Sequence, residues 1–221
     1  MTTPPSIPTV AIPADPAAPS GTAPATGITA IFKGRSPAAA ADSVWVPLVS
    51  GILVLVAGAM TLATGKPWLF AGIGPTAVML AASPSHPTTR FHSIVLGHAV
   101  ALLCAWLAVL LLGAGSSAGL LSGPPSVARI WASAFAVAVT VLIQPSVRAY
   151  HPPAAATALL VTLGVYRINW QNALALLGGV LAVALVGEWL RRVRLDAQRG
   201  EMRGEMRGEM RGAMRGARRG A

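Results

Sequence analysis

From Ser43 to Gly187 the chain has no acidic residue; its seven acids are Asp15, Asp42, Glu188, Asp196, Glu201, Glu205 and Glu209. A water-facing surface of that length needs carboxylates, so water is not the main solvent of this stretch. Charged residues make up only 11% of the 221 residues and hydrophobic ones 54%, whereas soluble domains run near a quarter charged. The single cysteine, Cys104, excludes an intramolecular disulfide and a thiolate metal cluster. There is no carboxylate pair, no nucleophile beside a base and no glycine-rich nucleotide loop, so an enzyme is not expected and neither is a cofactor. The N-terminus lacks a basic region followed directly by an apolar core, which leaves insertion to the first span.

Six apolar segments remain: Pro47–Thr64, Trp68–Ala82, His92–Gly113, Val127–Ile143, Pro153–Tyr166 and Asn172–Leu190. Five basic residues, Lys66, Arg90, Arg129, Arg148 and Arg167, punctuate them. This patterning predicts an all-α integral membrane protein of about six hydrophobic helical segments. Trp45, Trp68, Trp170 and Trp189 fall near span ends, as an aromatic belt would place them. Residues 1–42 carry eight of the eighteen prolines and no apolar periodicity, and read as a disordered arm. Residues 43–190 form the transmembrane domain. Residues 191–221 form a basic low-complexity tail with a GEMR repeat, in which ten arginines follow Leu190 and glycine at every fourth position weakens a helix. A solvated tail is the preferred reading over an arm for anionic lipid headgroups; nucleic acid is not expected.

The second and fifth segments are too short to cross alone and each is marked by proline: Gly74-Pro75-Thr76 within one, His151-Pro152-Pro153 at the head of the other. The order long, short and broken, long occurs twice. Two repeated halves with interrupted helices at matching positions are the pattern of a transporter-like fold. With six passes, Lys33, Arg35, Arg90, Arg148 and the tail share one side, and the positive-inside rule makes it cytoplasmic, with both termini there.

Proline at a helix start is pre-shaped for it, so the amides from Ala154 onward are expected to be free and to face an anion, helped by the helix dipole. Ala154, Ala155, Ala156 and Thr157 allow close approach, and Gly74, Pro75 and Thr76 offer a second, weaker start. The alternative is that these prolines only begin helices in a packed bundle. His98 sits two turns into an apolar span and faces either a substrate or a neighbouring helix. Arg148, three residues before His151, either attracts an anion or anchors at headgroups. Gln144 reads as a cap or turn residue, and Gly97, Gly178, Gly179 and Gly187 as packing positions.

The strings HPPAAATALLVTLG at 151–164, GPTAVMLAASP at 74–84 and GHAVALL at 97–103 resemble the HPP family of small integral membrane proteins. The resemblance covers about residues 43–190. It implies a multi-span protein, commonly given four helices, and transport of a small anion, since plant chloroplast and cyanobacterial relatives are implicated in nitrite transport. Relatives carry glycine where this chain has Ala155 and Leu96, and a different turn in place of Ser85-His86-Pro87-Thr88-Thr89-Arg90. The expected reading is therefore a carrier or channel for a small inorganic anion, nitrite favoured, in a cell's inner (plasma) membrane. Its partners would be the bilayer, that anion, anionic headgroups at the tail and, as an open alternative, further copies of the chain. The rival is a non-transporting scaffold or sensor subunit whose basic tail recruits a partner.

Overall fold

The computed structural model describes residues 37–219, and among them the regular structure is entirely helical. The α-helices are α1 (Pro37–Thr64), α2 (Ile73–Ala82), α3 (Phe91–Leu111), α4 (Val127–Ser146), α5 (Ala154–Thr162) and α6 (Trp170–Arg219). Three short 3₁₀ turns, Pro87–Thr89, Ala114–Ser116 and Leu120–Ser122, lie in the connections.

Among the described residues, four helices are long and apolar enough to cross a membrane: Ser43–Thr64 of α1, α3, α4 and Trp170–Arg211 of α6. The 20 residues of α4 rise about 30 Å, the thickness of the hydrocarbon layer. The 10 residues of α2 and 9 of α5 rise only about 15 and 14 Å. Each is shorter than the apolar segment that holds it, because residues 68–72 and 163–166 are not helical. Four of the six expected segments thus hold helices long enough to span, and the other two hold half-length helices.

Two boundaries differ from expectation. Helix α1 begins at Pro37, within the expected arm, and contains Pro47; the run Ala38–Ala41 is made of the strongest helix former. The rest of that arm, residues 1–36, lies outside the described residues. Helix α6 continues from the apolar stretch to Arg219. Glu, Met and Arg in each repeat outweigh one glycine per turn, and Met202, Met206, Met210 and Met214 stand exposed along it.

The bundle packs small residues inward and large ones outward. Ala57, Ala77, Ala101, Ala105, Ala132, Ala136, Ala158 and Ala184 are fully buried, while Leu55, Leu62, Leu103, Leu110, Leu142 and Leu185 are exposed. This is the distribution of helices that pack on one another through small side chains and face lipid with large ones. Gly178 and Gly179 admit Trp68, and Gly187 admits Leu80; a Cβ at any of them would collide with those residues.

Contacts fix which connections share an end. The Arg191 guanidinium donates to the Pro84 carbonyl (3.1 Å), and Arg194 lies over the Trp45 ring, 5.5 Å from its centroid. The start of the α1 span, the α2–α3 turn and the end of the α6 apolar stretch are therefore together. At the opposite end Leu120 N–H donates to the Leu163 carbonyl (2.9 Å), and Arg129 donates to the Thr162 carbonyl (2.8 Å).

Candidate functional site

Helices α2 and α5 begin inside the bundle, and each carries threonine at its fourth position, Thr76 and Thr157. His98 of α3 lies between them: its Nε2 is 3.2 Å from Thr76 Oγ1 and its Nδ1 is 2.7 Å from Thr157 Oγ1. Thr76 Oγ1 also lies 3.1 Å from His151 Nε2, whose ring Nδ1 is 2.9 Å from the Thr88 carbonyl. All four side chains are fully buried. The imidazoles are 5.2 Å apart between centroids, and the edge of Phe70 closes the His98 side at 6.1 Å.

The hydrogen bonds determine where the protons sit when both rings are neutral. A carbonyl only accepts, so His151 carries its proton on Nδ1 and donates to Thr88. Its Nε2 must then accept from the Thr76 hydroxyl. The Thr76 oxygen in turn accepts from His98 Nε2–H, which leaves His98 Nδ1 to accept from the Thr157 hydroxyl. The result is a directional chain from Thr157 through His98, Thr76 and His151 to the Thr88 carbonyl.

The same chain has room for one more proton. The Thr76 hydroxyl also reaches the Gly72 carbonyl at 2.9 Å. A proton on His151 Nε2 would be donated to the Thr76 oxygen while that hydroxyl turns to Gly72, so no partner is lost.

Local backbone holds the cluster. Gln144 accepts from His151 N–H through Oε1 (3.1 Å) and donates through Nε2 to the Gly97 carbonyl (3.2 Å). It caps the α4–α5 turn, as expected of a cap or turn residue, but is fully buried rather than interfacial. A Cβ on Gly97 would lie 2.8 Å from the His151 Cβ, and one on Gly72 would lie 3.0 Å from Thr157 Oγ1, so both glycines are needed for the close approach. Helix α4 ends in a Schellman motif: Arg148 N–H donates to Pro145 (3.0 Å) and Ala149 N–H to Gln144 (2.9 Å). Arg148 occupies the position glycine usually fills, with φ 53°.

The expected free amides at the α5 start are not free. Ala154, Ala155 and Ala156 donate to the carbonyls of His151, Pro152 and Pro153 at 3.0–3.1 Å. The paired prolines set a tight turn that satisfies these donors by i→i+3 bonds. Side chains, not backbone amides, are therefore the groups the site can offer.

Of the residues singled out in the sequence, Thr76, His98, His151, Pro153, Ala154 and Thr157 are buried. Gly74, Ala155 and Ala156 are half-buried, and Pro75, Pro152 and Arg148 are exposed. Gln144, Gly72 and the Thr88 carbonyl were missed. A signal for Gln144 was present: Ser133, Thr140 and Gln144 follow Arg129 at spacings that keep one face of α4.

Four spanning helices, lipid-facing leucines and a buried polar cluster define an integral membrane protein. The chain belongs to the HPP family: the family described as HPP, transmembrane region, matches residues 33–198. No curated protein and no solved structure matches it.

Proposed function

We propose that this protein is a transporter or channel for a small anion, with nitrite the favoured substrate, and that it does not turn substrate over chemically. The observation that carries this reading is the buried Thr76–His98–His151–Thr157 cluster at the two half-helix starts. An anion in a low-dielectric interior is costly unless its charge is met there. The segment 43–187 supplies no acid to compete for the cluster's protons. Two imidazoles that can take up one proton without losing a partner suit the passage of a monovalent anion together with a proton, or of its conjugate acid.

In this reading residues 43–190 are the transport domain, and all six helices pass between the two ends of the bundle, α2 and α5 with the help of their non-helical leads. His151, Pro152, Pro153, Ala154–Thr157, Gly74, Pro75, Thr76 and His98 line the passage, and Arg148 lies at its mouth. The membrane is a cell's inner membrane with both termini cytoplasmic, where the tail arginines meet anionic headgroups.

The test is nitrite uptake into proteoliposomes, with nitrate and formate as competitors and an imposed proton gradient. Saturable uptake that follows the gradient and is lost in His151→Ala supports the reading. No uptake above empty vesicles, with folded insertion verified, overturns it. The continuous α6 helix, with Arg199, Arg203, Arg207 and Arg211 along its exposed end, favours the second reading, a scaffold or sensor arm. A scaffold tolerates alanine at Pro75 and Pro153; a transporter does not.

A further inference from the structure

At the end of the bundle away from Trp45 and Arg194 lies a cavity of about 720 Å³, lined among others by Arg129, Arg167, Tyr166, Ser116, Ser122 and Gly164. The sequence placed Arg129 at a span boundary; in the fold it is 5% exposed. Its Nε donates to the Ala118 carbonyl (2.8 Å), Nη1 to Thr162 (2.8 Å) and Nη2 to Ser117 (2.7 Å). A guanidinium has five N–H donors, so two remain beyond these three.

All three acceptors are neutral, and the chain has no acid from Ser43 to Gly187. A buried charge without a counter-charge is strongly unfavourable. Two features make this one more so. Arg129 stands in the first turn of α4, where the helix dipole is positive, and Arg167 brings a second cation to the same cavity. Gly164, at φ +73°, lets the guanidinium pack within 2.5–2.8 Å of where its Cβ would be, so the group is held in place.

We propose that this cavity binds an oxyanion carrying one negative charge, through the planar Arg129 fork and Arg167. A guanidinium matches the two oxygens of nitrite, a carboxylate or a phosphodiester in one plane. The site does not depend on transport. If the transport reading holds, the site is its collecting end, because Val161 on the cavity wall is about 6 Å of helix rise from Thr157 of the cluster. Along α4, between Arg129 and Gln144, Ser133 and Thr140 are buried, and the Thr140 hydroxyl has no hydrogen-bond partner among the described residues.

The experiment is thermal unfolding of the full chain in neutral detergent, with sodium nitrite or sodium formate replacing sodium chloride at constant ionic strength. A second arm uses nanodiscs of phosphatidylcholine with and without phosphatidylglycerol. A saturable rise in Tm is expected, with half-saturation shifted about tenfold by Arg167→Gln and unchanged by Arg203→Gln in the exposed tail. A rise with phosphatidylglycerol alone, lost in Arg167→Gln, upholds the site and makes a lipid headgroup its occupant. Absence of a saturable rise in both arms, or an Arg167→Gln protein that titrates like the parent, overturns the proposal. Arg129→Gln should remove binding, and Arg167→Gln keeps the test decisive if that variant does not fold. Uptake failing while this binding persists overturns the transport reading alone.

Discussion

Replacing Thr76 by valine keeps the shape of the side chain and removes one hydroxyl that serves two imidazoles. In the structure that oxygen is 3.2 Å from His98 Nε2 and 3.1 Å from His151 Nε2. Valine leaves one donor and one acceptor buried without a partner. Such losses reach about 1–3 kcal/mol each in water-soluble cores. Side-chain bonds in membrane bundles average only about 0.6 kcal/mol, with a maximum near 1.7, because the unfolded chain in lipid also finds partners. Two bonds of the membrane kind give a destabilisation of about 1–3 kcal/mol.

Thr140→Val is the matched control. That hydroxyl is also fully buried but has no hydrogen-bond partner among the described residues, so its removal should be neutral or stabilising. Reversible unfolding in detergent compares the two variants. ¹⁵N-histidine NMR then reads the proton positions directly, with His98 expected protonated at Nε2 and His151 at Nδ1. Equal stability of the two variants, or His98 protonated at Nδ1 in the parent, would refute the assigned chain of bonds.

Arg148 holds a left-handed conformation that costs a non-glycine residue about 1 kcal/mol or more. Arg148→Gly should therefore stabilise the fold by about that amount, and a fall in uptake in the more stable protein would separate an electrostatic role from a structural one. Gly164→Ala combines positive φ with a clash against the Arg129 guanidinium and should destabilise by about 2 kcal/mol or more, read as a drop in Tm. Pro75 is exposed, so Pro75→Ala should change stability by less than about 0.5 kcal/mol; loss of nitrite uptake in that stable protein would favour transport over a scaffold role.

The membrane class and the helical fold could be read from composition and apolar run length, because lipid admits few solutions for a backbone that must satisfy its own hydrogen bonds. The strings around His151 and Gly74 likewise identified the family, and the paired breaks located the two half-helices α2 and α5 to within a few residues. Helix ends were less legible: Pro37 starts α1 and Arg219 ends α6, since local propensity extends a helix past its apolar stretch. His98 stood out as a costly residue in an apolar span and His151 as the head of a proline-marked break, but nothing local said that they share Thr76. That contact joins residues 22 and 75 positions apart, and only packing of α2, α3 and the α4–α5 turn creates it. Arg129 shows the same limit. Its charge and position were visible along the chain, yet whether a boundary arginine reaches headgroups or turns inward depends on what faces it. Here the carbonyls of residues 117, 118 and 162 do, and those come from the α3–α4 connection and the end of α5, which meet only in the folded bundle.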